Sequence, residues 1–542
     1  MKQTFKAAAG TMLVFSLLAS ACSGNGSGQT GGADSSGQQD PNKPTELTVF
    51  APQSPAIENL ETNRFTKKVE EKANVKIKWN VVPEKSLEDK KQLMMASGDY
   101  PAVLLGGNFN KADQLKYGQQ GAFLDLKELI DKHAPNVKKA MNDLPYLKAA
   151  MTAPNGSIYA IPKINECFHC TYGQKMWINK SWLDKLGLAM PTTTDEFYEV
   201  LKAFKEKDPN GNGKPDEVPL TTSYDMWAGG VDSFLMNAFI YDDMDSYFSL
   251  SDGKVRLSAA QPEWREGLRY LRKLYAEGLI DKAAFTQNAD AVKQLASKPE
   301  QVVGAVSTAL ISYLYTANDE NPRHKEFEVV PPLKGPNGVR LSSYSVGAGN
   351  GQFVLTNKAT KEQQIAAMRL ADYLYSEEAT VLTSWGFEGE GWRRANAGET
   401  DYNGKPAQYA VIPSTKTAQV QNDSWQQLGI MLMTNAIREG FVAPKDPLGN
   451  DGYEYRLWKE SKKYEPYGKP ETVYPSDVYI DPADATLAAQ LRTTIKDYVK
   501  SSMAQFITGS KDIEKDWDAY IAGFKGLQLD KYAAIYQKAL NK

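Results

Sequence analysis

Between residues 208 and 217, side chains with oxygen atoms recur, the first three of them at every second position. This spacing is the clearest sign of a metal-binding site in the sequence. Asp208, Asn210 and Asn212 stand at positions 1, 3 and 5 of an EF-hand-like loop, and Gly213 stands at position 6, where that loop turns sharply. Alternate positions let side-chain oxygens converge on one centre. Carboxylates mixed with amides suit calcium better than a softer metal.

The spacing therefore predicts a structural calcium site that pins a surface loop. Pro219 stands at position 12, where an EF-hand has its bidentate Glu, and the nearby carboxylates are the available replacements. The predicted ligands are Asp208, Asn210, Asn212, the backbone carbonyl of Lys214, Asp216 and Glu217. The alternative is a solvated Asn-Gly turn.

Aromatic side chains are abundant in a chain that is otherwise polar. The 542 residues include 10 Trp and 28 Tyr. Sugars present apolar C–H faces that stack on aromatic rings, and hydroxyls that need fixed polar partners. The composition therefore favours carbohydrate binding, with a place in a hydrophobic core as the alternative for each single ring.

Most motifs for enzymatic chemistry are missing from the sequence. None of the three histidines, His133, His169 and His324, belongs to an H-E-x-x-H motif, and no G-x-S-x-G occurs. Gly213-Lys214 is followed by Pro, which excludes a phosphate-binding loop. Paired carboxylates for glycoside hydrolysis stay open, because 66 acidic residues allow many pairs.

The first 22 residues have the features of a lipoprotein signal peptide. Lys2 and Lys6 form a basic region, residues 7–18 are mostly apolar but too few to span a bilayer, and small residues lead to Cys22. This predicts a lipid on the Cys22 thiol, with an ordinary secretory signal as the alternative. Residues 23–44 are almost free of apolar side chains, and we expect a flexible tether there.

Cys167 and Cys170 remain as an even pair in an exported chain. The segment C-F-H-C could be a redox motif or half of a zinc site, but a single C-x-x-C without a second pair is weak evidence for zinc. A local disulfide, or two reduced thiols in a loop, is the interpretation that we favour.

Length, charge and periodicity define the broad class. The apolar content of 42% in 542 residues is enough for two cores, and 63 basic against 66 acidic residues give no signal for nucleic acid. Strand and helix patterns alternate through residues 47–105, which predicts a parallel sheet covered by helices. The first predicted helix contains Ile57, Leu60, Phe65 and Val69. A capping box of Thr193 and Glu196 is expected to begin a later one.

Four motifs then connect the chain to a known family. They are A-S-G-D-Y-P at 96–101, I-Y-A-I-P at 158–162, V-V-P-P-L at 329–333 and A-D-Y-L-Y-S-E-E-A at 371–379. With them, the chain resembles the extracellular solute-binding proteins of ABC importers, family 1, which includes maltose-binding protein. Residues 177–188 and 385–389 more narrowly resemble alginate-oligosaccharide-binding proteins and the lipoproteins of complex-polysaccharide importers. Ala102 departs from the pattern, since relatives commonly have Asp there.

This resemblance implies an α/β fold of two lobes joined by a hinge, with the ligand in the cleft between them. We expect residues 45–165 and 330–390 in the first lobe, and residues 166–329 and 391–542 in the second. The ligand contacts predicted on this basis are Tyr172, Trp177, Trp227, Trp385, Glu388, Trp392, Arg393 and Trp425.

The function that the resemblance implies is a non-enzymatic, monomeric receptor on the outer face of the cell membrane. It would be lipid-anchored, capture an oligosaccharide and deliver it to the permease subunits of an ABC importer. Arg393-Arg394 hints at a uronic-acid-containing sugar, with a surface ion pair as the alternative. A peptide receptor and a secreted polysaccharide-degrading enzyme are the alternative functions.

Overall fold

The computed structural model describes residues 43–412, 420–426, 428–475 and 477–541. The predicted signal peptide, Cys22 and the tether up to residue 42 lie outside the described residues. From Pro44 onward the chain forms one compact unit. Within the described ranges, no helix combines the length and the apolar content that a membrane crossing needs.

Strands and helices alternate along the chain, as the sequence pattern predicts. The strands are β1 (Thr45–Gln53), β2 (Val75–Pro83), β3 (Val103–Phe109), β4 (Ile161–Pro162), β5 (Ile164–Asn165), β6 (Met176–Asn179), β7 (Val218–Thr221), β8 (Phe248–Ser251), β9 (Lys254–Leu257), β10 (Val303–Ser307), β11 (Phe327–Val330), β12 (Gly351–Leu355), β13 (Trp392–Arg394), β14 (Tyr409–Val411) and β15 (Leu432–Met433). The helices are α1 (Arg64–Ala73), α2 (Leu87–Ser97), α3 (Lys111–Gln119), α4 (Lys127–His133), α5 (Pro135–Asp143), α6 (Pro145–Met151), α7 (Phe168–Thr171), α8 (Lys180–Lys185), α9 (Thr194–Glu206), α10 (Val231–Leu235), α11 (Pro262–Ala276), α12 (Ala289–Ala296), α13 (Lys361–Leu374), α14 (Glu377–Trp385), α15 (Asn435–Glu439), α16 (Tyr453–Ser461), α17 (Pro482–Thr508), α18 (Trp517–Gly526) and α19 (Leu529–Leu540).

The first sheet has the strand order β2-β1-β3-β12-β4. β1 runs parallel to β2 and β3, whereas β12 runs antiparallel to β3 and β4, with Gly351 opposite both Phe109 and Pro162. The carboxyl ends of β1, β2, β3 and β4 and the start of β12 therefore lie at one edge. We call this the first edge; it includes Ser54, Asn108, Lys163 and residues 350–352.

The second sheet has the strand order β11-β6-β10-β7. β10 is parallel to β7 and antiparallel to β6, and β11 is also antiparallel to β6. Ser307 and Val330 both lie opposite Met176. The ends of β7, β10 and β11 and the start of β6 therefore share one edge, which we call the second edge.

Two connections run between these edges. β4 ends at the first edge and β6 begins at the second, so that residues 163–175 cross from one sheet to the other. Residues 331–350 return from β11 to β12. Since the chain crosses twice between the same two edges, we infer that the sheets neighbour each other at these edges. This is the topology of a cleft between two α/β bodies.

Each sheet has its own hydrophobic core. Val49, Leu105 and Phe353 are buried in the first, and Leu271 and Val306 in the second. Trp425 and Ile430, which the predicted boundaries place in the second lobe, are instead buried in the first core. The reason is that β15 pairs with β5 beside the first sheet, which brings the preceding residues back to that lobe.

Local predictions are confirmed where capping decides them. Thr193 and Glu196 form both hydrogen bonds of the capping box that begins α9. The first helix begins at Arg64, later than predicted, because the side chain of Asn63 caps it by accepting from the Phe65 N–H. Ile57 and Leu60 are buried in the preceding loop. Their apolar spacing reflects burial and not helix.

Candidate ligand cleft and metal loop

Trp227 is the most exposed tryptophan among the described residues, with 41% of its surface accessible. It lies in the loop that follows β7 at the second edge. Its backbone carbonyl accepts from the Ala309 N–H at 2.9 Å and from the Thr308 hydroxyl at 3.2 Å. Its backbone N–H donates to the Tyr313 hydroxyl at 3.2 Å. The backbone is fixed on both sides while the ring stays in solvent, which suits a ring that stacks on a ligand.

One side of the Trp227 ring rests on the segment that crosses between the sheets. The ring centroid lies 6.4 Å from that of His169, at an interplanar angle of 61°. A Cβ at Gly173 would lie 3.7 Å from Trp227 Cζ2, so the glycine backbone also faces the ring. The remaining surface of the indole is left for contact with another molecule.

The crossing segment is tied down by polar contacts. Cys167 and Cys170 form a disulfide, which is one of the two states favoured from the sequence. The buried Lys175 Nζ donates to the carbonyls of His169 at 2.7 Å and Tyr172 at 2.6 Å. Burial lowers the pKa of Lys175 to about 7.

The first edge offers polar groups around a cavity of about 280 Å³. Asn108 Oδ1 accepts from Asn350 Nδ2 at 3.2 Å and from Gln352 Nε2 at 3.1 Å. Lys163 also lines this cavity, and burial lowers its pKa. Amides and an amine in fixed positions match the hydroxyls of a sugar. Sequence reasoning missed Lys163 and Gln352, although Lys163 directly follows the I-Y-A-I-P motif.

Two of the predicted ligand contacts are core residues. Trp177 is fully buried on β6, and its indole N–H donates to the Thr308 carbonyl at 3.1 Å. The Trp425 side chain packs against Phe65 and Trp79 and donates to the Thr66 hydroxyl at 2.8 Å. Both rings are enclosed by protein and their N–H groups already have partners, although Trp425 also lines the first-edge cavity.

Three further predicted aromatic residues are largely covered. Tyr172 packs against the rings of Phe168 and Tyr344. Trp392 is 6% exposed, and its indole N–H donates to the Gly386 carbonyl at 2.9 Å. The Trp385 ring lies 4.2 Å from that of Phe441. None of these three rings is offered to solvent in the way that Trp227 is.

Neither Glu388 nor Arg393 is among the described residues that line the first-edge cavity. Glu388 and Trp392 line a cavity of about 750 Å³ between α1, α14 and the β13–β14 hairpin. Arg393 binds Glu399 through two contacts of 2.8 Å, and this guanidinium lowers the pKa of Glu399 to about 2. The ion pair that the sequence left as an alternative therefore accounts for Arg393, and the hint of an acidic sugar loses its main support.

Hydrogen bonds close the loop that contains the predicted metal ligands. The Asp208 carboxylate accepts from the N–H groups of Gly211, Asn212 and Gly213 at 2.9, 3.1 and 2.9 Å. Asn210 Nδ2 and Asn212 Nδ2 lie 3.1 and 3.0 Å from Asp216 Oδ1. These contacts close the loop and hold the candidate ligand residues next to one another.

Glu217 shows that this loop fits a cation. Its Oε1 atom is buried and has no hydrogen-bond partner among the described residues. Burial raises the pKa of Glu217, and the negative charges of Asp208 and Asp216 add to the effect. A hard cation would satisfy the orphaned oxygen and offset the charge of three carboxylates.

Comparison with known proteins decides the family. The family model for bacterial extracellular solute-binding proteins matches residues 58–381. The chain belongs to this family. FusA of Streptococcus pneumoniae serotype 4, a fructooligosaccharide ABC transporter substrate-binding protein, is 30% identical to this solute-binding protein over 91% of this chain and 89% of FusA. Lipoprotein LipO of Bacillus subtilis is 29% identical over 62% of this chain and 64% of its own length.

Solved structures confirm the two-lobed solute-binding fold. FusA in complex with kestose and a FusA EF-hand mutant in complex with fructo-nystose each match with a TM-score of 0.72 and 27% identity, covering 92% of this chain and 99% of FusA. An HMO-binding, ABC-transporter-associated solute-binding protein of Bifidobacterium longum infantis matches with a TM-score of 0.77 at 25% identity, over 92% of this chain and 99% of its own.

Proposed function

We propose that this solute-binding protein captures an oligosaccharide outside the cell and delivers it to the permease of an ABC importer. The observation that carries the proposal is the exposed Trp227 ring on a fixed backbone at the second edge. The amides of Asn108 and Gln352 lie at the neighbouring first edge. A ring that stacks on sugar C–H faces and amides that bind hydroxyls are the two elements that a sugar cleft needs.

The relatives support an oligosaccharide over a peptide. FusA is a fructooligosaccharide-binding subunit, and the match covers nearly the full length of both chains. Ligand binding would close the two lobes by stabilising the closed state more than the open one. No catalytic step is proposed, since the chain's role would end with delivery. The lobes proposed for this motion are 45–165 with 330–390 and 166–329 with 391–542. Trp425 and Ile430, which are buried in the first core, would move with the first lobe.

Calorimetry with purified mature protein tests this function. Fructan, human-milk, pectin and alginate fragments are titrated beside mixed tri- to hexapeptides. We expect saturable binding of at least one sugar class, and no shortening of the sugar over hours by chromatography. Binding of peptides alone would reject the sugar proposal. Sugar shortening would reject the non-enzymatic role.

Lipid attachment at Cys22 would hold the protein at the outer face of the membrane. The small residues before Cys22 and the polar segment after it support this proposal. We expect Cys22→Ser to move the protein from the membrane fraction to the culture medium, because no other anchor is proposed. The measurement is immunoblotting of both fractions, with Cys167→Ser as a cysteine control. Retention of Cys22→Ser on the membrane would contradict the proposal.

Calcium in the 208–217 loop is proposed as a structural cofactor. Asp208, Asn210, Asn212, Asp216, Glu217 and the Lys214 carbonyl would hold it, and the ion would neutralise the buried carboxylates. The FusA EF-hand mutant was solved in complex with fructo-nystose, which supports a role apart from the ligand cleft.

Replacing Asp208 with Asn is expected to abolish calcium binding while keeping the shape of the loop. Calcium at 100 times its Kd should raise the stability of the wild type by about 2.7 kcal/mol, and the variant should lose this gain. Equilibrium dialysis and thermal melting with and without chelator provide the measurement. Affinity should also fall on acidification through the raised pKa of Glu217, because only the ionised carboxylate binds the ion. An unchanged melting temperature of the wild type in chelator would remove the proposal.

A further inference from the structure

The segment behind Trp227 depends on a covalent bond for its shape. The disulfide between Cys167 and Cys170 spans the single turn α7, with a Cα–Cα distance of 5.1 Å. His169 projects from within this turn and is 6% exposed. Its ring is the aromatic neighbour of Trp227, at 6.4 Å between centroids. The bond thus fixes the backbone from which this neighbour projects.

The imidazole ring of His169 is also held in place by polar neighbours. Its Nε2 lies 3.4 Å from Glu454 Oε2 on α16, and Arg438 Nη1 lies 3.7 Å from the same oxygen. Lys175 Nζ donates a hydrogen bond to the backbone carbonyl of His169. An imidazole that is fixed at both backbone and ring has little freedom to rotate. It therefore limits the orientations open to Trp227.

We propose that His169 is a positioning residue for Trp227 and that the Cys167–Cys170 disulfide makes ligand affinity sensitive to reduction. This rests on the proposed function, in which Trp227 is the stacking ring. An extracellular dithiol would supply two electrons and two protons, giving two cysteine thiols and leaving the dithiol as its own disulfide. The freed turn would let His169 and Trp227 sample more orientations, and binding would then cost more ordering entropy.

The imidazole provides a spectroscopic signature of this contact. Burial lowers the pKa of His169 below its ordinary value of 6.5, while Glu454 acts in the opposite direction and Lys175 and Arg438 lower it further. The ring is therefore neutral at pH 7 and gains its proton in acid. A protonated imidazole beside an indole quenches its fluorescence by accepting an electron. Trp227 emission should fall in acid for this reason.

The experiment isolates the Trp227 signal as the difference in emission between each protein and its Trp227→Phe counterpart. Acrylamide quenching of this signal is measured in ligand-free mature protein from pH 7.5 to 5, before and after reduction. The variants are His169→Gln and the pair Cys167→Ser with Cys170→Ser, and His133→Gln on α4 is the matched histidine control. Affinity is measured with kestose as the probe.

We expect reduction or the serine pair to increase acrylamide quenching of Trp227 and to weaken kestose binding by about threefold to tenfold. His169→Gln should remove the acid-dependent loss of emission, and His133→Gln should keep it. Unchanged quenching after reduction of the wild type, or an acid-dependent signal that survives His169→Gln, would overturn the proposal. If the serine pair does not fold, reduction of the folded wild type still tests whether the disulfide restrains Trp227. If kestose does not bind, only kestose is rejected as a ligand. The quenching of Trp227 is measured without ligand and still tests the role of His169 and the disulfide.

Discussion

Replacing Trp227 with Ala is expected to weaken oligosaccharide binding by about thirtyfold, which corresponds to ~2 kcal/mol. The loss follows from removing the one exposed indole that the described residues hold on a fixed backbone at the second edge. Calorimetry with the sugar that binds the wild type gives the measurement. Trp227→Phe should retain part of the affinity, because a smaller ring still stacks.

Trp385→Phe is the matched control for this experiment. The Trp385 ring lies against Phe441 and is not among the described residues lining the first-edge cavity, so its replacement should leave affinity within about twofold. Thermal melting should show both Trp227 variants as folded as the wild type, since an exposed ring adds little to stability. An affinity that is unaffected by Trp227→Ala but lost in Trp385→Phe would place the site near α14, at the cavity lined by Glu388 and Trp392.

Replacing Trp177 with Ala is expected to lower the free energy of unfolding by about 3–5 kcal/mol. The ring is fully buried on β6, and its loss would leave a cavity and an unpaired Thr308 carbonyl. The Arg456 guanidinium, which lies 5.2 Å from the ring centroid, would lose its aromatic neighbour as well. Urea unfolding followed by circular dichroism gives the measurement.

The comparison with Trp227 makes this second prediction specific. Trp227→Ala should shift the unfolding free energy by no more than about 0.5 kcal/mol, whereas Trp177→Ala should leave affinity nearly unchanged at temperatures where the variant is folded. A Trp177→Ala protein that keeps its stability and loses its ligand would restore Trp177 as a ligand contact. That result would contradict its assignment to the core.

Sequence reasoning reached the family and the α/β class, because these leave local signals. The calcium site from Asp208 to Glu217 stays a prediction, although hydrogen bonds do close that loop. The ligand contacts were harder to predict. Among six aromatic candidates, Trp227 is exposed while Trp177 and Trp425 are buried, although all three are tryptophans.

The amino-acid sequence by itself determined what short-range chemistry can specify, namely the capping box at Thr193 and the alternation of strands and helices. The calcium loop and the signal peptide before Cys22 remain predictions from the same kind of local pattern. Only the tertiary structure decided which rings face solvent, that Trp425 and Ile430 belong to the first core, and that Arg393 pairs with Glu399. Burial and pairing depend on residues far apart in the chain, and no local pattern of residue types encodes which of those residues will meet.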